Sequence, residues 1–430
     1  MDWKNQLTKT PYLVLFVVLA TVGISTAYAL VTITLAGDVI IEGDTEIEGN
    51  LKLDGGHSGI LWNSKVPVEN IITIADSSQI VGLYTSLTIG VDGLPVISYY
   101  DSSNGELKVA KCKNPACTSP TKTTVDNSTP DVGQYSSITI GLDGFPVISY
   151  YDRGNGSLKL AKCNNHSCTL SSTTTVDNTA TNVGLYTSIT TWEDGFPVIS
   201  YYDSTNGALK VAKCNNSACT SPSTFTVDNT ATSVGLYSSI AFGLSNSRPV
   251  ISYYDQTNGN LKYAKCNNPG CTTSSIITID SDIDVGSYSS ITIGLDGQPI
   301  ISYRDEFNDD LKVAHCSSST CIGKTITPVD IVADRGQHTS ITIGADGFPL
   351  ISYYAVGAGH LLVAHCSNTT CSSADTNFVI DGKALDVGTY NSVAIGTDGL
   401  PVISYYDESL DDLKIVKCAN IYCKDKWIRR

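Results

Sequence analysis

The chain has 430 residues, 41% of them apolar and 16% charged, proportions that fit a folded body. Its formal net charge of -15 argues against a nucleic-acid or anionic-membrane partner, because neutralising phosphates needs a basic surface. Thr, Ser, Tyr, Val and Ile, separated by Gly, Asn and Asp, make short strands and tight turns the expected elements.

Lys4 and Lys9 precede a run without charge from Tyr12 to about Ala29 that ends in Ala27-Tyr28-Ala29. Residues 1–30 therefore read as a secretory signal cut after Ala29, or as a single membrane anchor, since 18 to 20 or so apolar residues span a bilayer. Either outcome puts the remainder outside the cytoplasm, and this segment is the only expected membrane contact. Residues 31–70 hold a six-residue repeat, GDVIIE, GDTEIE and GNLKLD, with glycines at 37, 43, 49 and 55. Two readings stand: a strand-rich linker, which we prefer, and a stalk through which copies assemble as a homo-oligomer.

From Val81 one phrase, VGxYxSxxIGxDGxPVISYYDxxNGxLKVAKCxNxxC, restarts at Val132, Val183, Val234, Val285, Arg335 and Val387. A period near 50 residues denotes an array of supersecondary units. In the first copy, Tyr84–Ile89 alternates as a strand, Asp92-Gly93 turns it, and Pro95–Tyr100 forms a second strand. Asn104-Gly105 turns again into Leu107–Cys112, and a fourth strand ends at Thr124-Val125-Asp126. Four antiparallel strands in each of seven copies predict an all-β, seven-bladed β-propeller over residues 71–430. The seventh copy stops short of its fourth strand, whereas Ile71–Asp76 matches the endings at Asp126, Asp177, Asp228, Asp280, Asp330 and Asp381. The N-terminal strand is therefore expected to complete blade seven, leaving no open edge between first and last blades.

The 14 cysteines fall in C-x4-C pairs: Cys112 with Cys117, Cys163 with Cys168, Cys214 with Cys219, Cys266 with Cys271, Cys316 with Cys321, Cys366 with Cys371, and Cys418 with Cys423. Zinc would need thiolates to converge from separate repeats, so hairpin disulfides are expected, as suits an exported chain. No cofactor or metal is implied.

With the first strand of each blade innermost, the Asp-Gly turns and cystine hairpins share one face, and the Asn-Gly turns and strand entries share the other. The second face collects Tyr84, Tyr135, Tyr186, Tyr237, Tyr288 and Tyr390, with His338 at the same position of repeat six. These form the candidate ligand-binding ring, since aromatic groups beside carboxylates and amides suit a sugar's CH patches and hydroxyls. The structural alternative is that Tyr packs between blades and that Asp before x-x-Asn-Gly bonds its own turn. Repeats five and six depart most: Arg304 replaces the second Tyr of the YY pair, Ala355 replaces Asp, and Gly359-His360 replaces the turn. Arg304 and His360 join the candidate set, and His315 and His365 replace Lys beside cystines. N-x-S/T sequons begin at Asn127, Asn155, Asn165, Asn215 and Asn368, so glycosylation is an expectation.

The phrase DGxPVISYYDxxNGxLKVAKC resembles repeats of secreted propellers of archaea and bacteria, broadly similar to the BNR/Asp-box group that includes sialidases and some lectins. The resemblance spans residues 71–423, and the Asp-box S-x-D-x-G-x-x-W itself is absent. A sialidase's arginine triad would have to come from Arg153, Arg248, Arg304 and Arg335, which are scattered over four repeats. The first functional expectation is a non-catalytic extracellular or cell-surface propeller that binds glycans or protein partners. The alternatives are a secreted hydrolase or lyase using Arg304, His338 and His360, and a structural surface scaffold.

Overall fold

A computed structural model describes residues 69–424 apart from 244–247, 333 and 383–385. The N-terminal signal or anchor, the Gly repeat at 37–54 and the C-terminal residues 425–430 lie outside the described residues, as does the whole of the smaller unit at residues 1–63. Among the described residues no helix is long and apolar enough to cross a membrane.

The propeller is confirmed: seven four-stranded antiparallel sheets follow one another along the chain. Blade one comprises β2 (Val81–Ile89), β3 (Pro95–Asp101), β4 (Glu106–Lys111) and β5 (Thr121–Asp126). Its innermost strand packs against β6 (Val132–Ile140) of blade two and β26 (Val387–Ile395) of blade seven, which closes the ring. The closing strand is β1 (Ile71–Asp76), paired antiparallel with β28 (Asp412–Lys417) from Ile71↔Lys417 onward. Asn70 reinforces this seam, its Nδ2 donating to Cys423 O while its Oδ1 accepts from Ala419 N. Both ends of the propeller thus meet on the cystine face.

The YY strand of each blade is buried along its whole length and the third strand nearly so, which puts the core between blades. The seven main apolar clusters take Val, Ile, Leu and Tyr from two neighbouring sheets together with one cystine.

All seven expected disulfides are present: Cys112 to Cys117, Cys163 to Cys168, Cys214 to Cys219, Cys266 to Cys271, Cys316 to Cys321, Cys366 to Cys371, and Cys418 to Cys423. The described chain has no free cysteine. Such a set fits an oxidising, extracytoplasmic environment. The two halves of each bridge differ in backbone. The first cysteine closes the third strand in extended form. The second, at Cys117, Cys168, Cys219, Cys271, Cys321, Cys371 and Cys423, takes a left-handed φ of 53–55°. Its N–H bonds the carbonyl three residues earlier, as Cys117 N does to Asn114 O at 3.0 Å, so the bridge closes over a tight turn of the chain. The C-x4-C spacing pointed to the bond but not to this conformation, which is uncommon for a residue with a Cβ.

The repeated VG dipeptide is required by how tightly blades abut. Gly184 has φ +114°, and a Cβ there would sit 2.7 Å from Leu158 Cα of the preceding blade. Two residues later the entry aromatic also takes positive φ, between 50° and 53° from Tyr84 to Tyr390, which produces the register shifts in every first pair of strands. A non-glycine residue held there is strained, and the surrounding ring must fix it. Next to it lies a belt of small side chains. Thr85 Oγ1 donates to Ser404 Oγ (2.8 Å), and Thr187 Oγ1 donates to Ser149 Oγ (2.6 Å). In every blade the following Ser accepts the backbone N–H of the next blade, as Ser137 does from Ile189 at 3.2 Å.

Replacing Gly184 by Ala combines an unfavourable φ with a backbone clash and is expected to cost about 2 kcal/mol or more. Urea or thermal unfolding of the variant checks this; unchanged stability would mean that the blades are not in closest contact there.

Candidate functional site

The side chains that the repeat carries on its Asn-Gly face sort into three layers, from the blade interfaces inward to the axis. The outermost layer is an ionic clamp. Asp177, the last residue of β9 (Ser171–Asp177), accepts from Tyr201 Oη of the next blade at 2.6 Å and from Lys210 Nζ at 2.5 Å. The same trio recurs as Asp126 with Tyr150 and Lys159, Asp228 with Tyr253 and Lys262, Asp280 with Tyr303 and Lys312, and Asp381 with Tyr405 and Lys414. At the seam, Asp76 of β1 accepts from Tyr99 and from both Lys108 and Lys122. Each such Lys also reaches the Asp that ends the YY strand, as Lys414 does to Asp407 at 2.6 Å. That second Asp holds its turn as well, for Asp101 accepts from the backbone and amide of Asn104.

The repeated Lys and Asp are therefore structural, and so are the second Tyr of each YY pair. Tyr100 and Tyr354 are buried and donate to Asp131 and Asp386 on the entry loop of the next blade. Their positions in the repeat lie on the Asn-Gly face. Packing draws them into the seams between blades.

The irregular repeats obey the same rule. Arg304 stands where a Tyr does elsewhere and reaches the equivalent acceptor, Asp334, at 3.1 Å. Its Nε also donates to Glu306 at 2.7 Å, Nη1 to Arg335 O at 2.6 Å, and Nη2 to Asp309, so all three nitrogens are committed. In repeat six the clamp lysine becomes Leu362 and its intrablade partner becomes Ala355. Asp330 still accepts from Tyr353 at 2.6 Å, and its cation is Arg335 from the adjoining entry loop, 3.5 Å away. Three departures thus form one exchange that keeps a buried carboxylate balanced. His315 and His365 replace lysines that pair with the Asp-Gly turn: they face Asp296 at 2.8 Å and Asp346 at 3.1 Å, as Lys111 faces Asp92 at 2.8 Å.

The innermost layer is the predicted aromatic ring, and it closes. Tyr84, Tyr135, Tyr186, Tyr237, Tyr288, His338 and Tyr390 succeed one another with centroids 4.5–4.6 Å apart and planes inclined by 40–56°. Those angles scatter about one seventh of a turn, roughly 51°, as for planes lying parallel to a sevenfold axis. Rings standing edge to edge would need centroids more than about 6 Å apart, so each ring overlaps its neighbour like the leaves of an iris. Burial first, and then the neighbouring phenols, push the Tyr84 and Tyr237 hydroxyls above the ordinary phenol range, while burial lowers the His338 imidazole to about 3. Tyr84, Tyr237 and His338 are thus uncharged at neutral pH, and the overlapped ring offers hydroxyls and ring edges rather than open faces.

His360 is half-buried at the start of β24 (His360–Cys366), two strands away from His338, and β23 (Pro349–Ala355) lies between them. The two imidazoles do not share a site. Among the described residues no group of His, Cys, Asp or Glu could hold a metal ion.

A feature that sequence reasoning passed over lies farther out on the same face. A cleft of about 480 Å³ is lined by Asn155, Ser157, Thr175, Asn178, Thr179, Ala180 and Thr181; Asn155 Nδ2 donates to Asp152, Thr179 Oγ1 to Asp177, and Thr181 Oγ1 meets Thr205, so the Asn178 amide and the Ser157 and Thr175 hydroxyls are its presented polar groups. Asn206, Thr226, Asn229, Thr230 and Thr232 repeat this set one blade later. The recurring DNTAT after the outer strand was its signal, and it reads as loop filler until the fold brings it against the Asn-Gly turn. Of the sequon asparagines, Asn165 and Asn368 cap cystine loops by bonding Thr169 and Ser372, whereas Asn127 is exposed.

The fold and these layers define a seven-bladed β-propeller with an aromatic ring around its axis. No family model matches the chain, and no curated protein does. Solved structures do resemble it. A protein of unknown function from Dyadobacter fermentans matches at TM-score 0.50 and 10% identity, over 82% of this chain and 98% of that one. An ulvan lyase from a new polysaccharide lyase family, bound to a GlcA–Rha3S unit, matches at TM-score 0.50 and 10% identity, over 81% and 93%. The NanB sialidase of Streptococcus pneumoniae is more distant, at TM-score 0.44 and 12% identity over 86% and 70%. Likeness at this identity shows the fold alone.

The seam carboxylate yields a pH test. Burial would raise the Asp76 pKa, but bonds from Lys122 and Tyr99 and the charge of Lys108 outweigh it and hold it at about 2. The folded value lies below the ordinary value of about 3.9, so the contribution of Asp76 is complete above that pH and is lost as pH falls toward 2. Hydrogen exchange of the β1 amides during acid titration should show the seam opening in this window, and Lys122→Met should move the opening to higher pH. Protection that persists unchanged to pH 2 would contradict the assignment.

Proposed function

We propose that the protein is a non-catalytic extracellular propeller that binds glycans on its Asn-Gly face. The observation that carries this reading is the amide- and hydroxyl-lined cleft at Asn155 and Asn178, with its residue set recurring in the next blade. Amides and hydroxyls that both donate and accept match the hydroxyls of a sugar, and repeated shallow sites suit a repeating chain that gains by engaging several at once. The axial phenols add neutral hydroxyls at the centre of the same face, so the Tyr84 ring enters the proposal as a hydrogen-bonding floor rather than a stacking platform. The charged groups of the repeat are held in interblade clamps, and Arg304 is fully bonded within blade five and its neighbour, which favours recognition over chemistry.

A glycan array probed with the full chain tests this. Bound oligosaccharides should lose about threefold to tenfold in affinity with Asn178→Ala, and further with Asn229→Ala. Tyr186→Phe, which removes one axial hydroxyl while keeping the ring packed, reports whether the iris takes part. An array blank across neutral and acidic glycans, or binding indifferent to all three substitutions, would sink the reading.

A further inference from the structure

We propose that the Asn-Gly face carries a second, separate site at blades five and six, an apolar docking surface for a protein partner that presents an apolar side chain beside Lys or Arg. It begins with a substitution in register. In blades three and four, the residue two before the first strand and the residue two after the YY strand are a threonine pair, Thr181···Thr205 and Thr232···Thr257, each with hydroxyls 3.2 Å apart. In blade five the same two positions are Ile283 and Phe307, which are 67% and 64% exposed. The next interblade loop adds Ile331 and Val332, 71% and 47% exposed. These four exposed aliphatic and aromatic side chains on two neighbouring loops exceed the pair Ile80 and Leu410, 40% and 56% exposed where blades seven and one meet, and they supply what an interaction site requires.

Arg304 gives this sector a rigid base. Found only in this repeat, its buried guanidinium ties Glu306 and Asp309, which flank the Phe307 turn, to Asp334 and Arg335 O on the loop that follows Ile331 and Val332. It is a positioning residue that holds the two apolar segments in fixed relation, so little ordering is lost on binding. Charge selects the partner. Arg304 is one cation facing three carboxylates, Glu306, Asp309 and Asp334, so the rim is acidic and favours a basic flank.

The experiment pans a phage-displayed random peptide library on the full chain. Enriched peptides should carry an aromatic or aliphatic residue next to Lys or Arg. Their affinity should fall about tenfold or more in Phe307→Asp and in Ile283→Asp. It should fall severalfold in Arg304→Tyr, which restores the common residue, and hold in Thr205→Asp. No enrichment, or peptides that bind Phe307→Asp as well as the parent, overturns the proposal. Self-association in light scattering that Phe307→Asp abolishes would make the occupant a second copy and overturn the basic partner. Glycan-array binding by Phe307→Asp should be unchanged, so this site and the cleft fail separately.

Discussion

The ring rests on one buried carboxylate per blade junction. The Asp that ends each outer strand is sealed from water, and it is stable there because a phenol and a cation from the next blade both reach it, as Tyr201 and Lys210 reach Asp177. Because donor and acceptor come from successive sheets, the clamp also sets the angle between blades. The serine belt and the abutting VG glycines repeat that registration nearer the axis. At the seam the carboxylate comes from β1, so the same interaction that joins two ordinary blades also joins the two ends of the chain.

Much of this was legible in the sequence. Alternation and turn dipeptides locate every strand within a few residues, the cysteine spacing identifies each bridge, and the missing fourth strand of repeat seven points directly to Ile71–Asp76. The left-handed entry residue was not legible, because a tyrosine at φ near 50° contradicts local preference and is imposed by the ring. Nor was the destination of each polar group. Tyr99, Tyr100 and Lys108 carry polar tips that would suit a half-exposed strand, and only the stacking of sheets draws them into the seams. The aromatic ring was foreseen as a set, but its overlap into an iris depends on a 4.5 Å spacing that no spacing in sequence encodes.

The broken copies change meaning once the clamp is known. Arg335, Ala355 and Leu362 look like three unrelated losses along the chain, yet they answer one another around Asp330. His315 and His365 keep a base opposite the turn carboxylate. What remains unexplained by packing in this sector is the exposed apolar pair Ile283 and Phe307, set above an arginine that fastens the loops bearing it. Symmetry is thus preserved in the interior and broken on the surface, as expected for a rigid body that presents distinct sites.

The central claim is that each outer-strand Asp needs one cation, whichever strand or loop supplies it. Unfolding free energies of Arg335→Val, of Leu362→Lys combined with Ala355→Asp, and of the triple variant form the most direct test. Arg335→Val alone should lose about 2–3 kcal/mol by stranding Asp330, and the triple variant, which rebuilds the common clamp, should recover most of it. A triple variant no more stable than Arg335→Val would contradict the account.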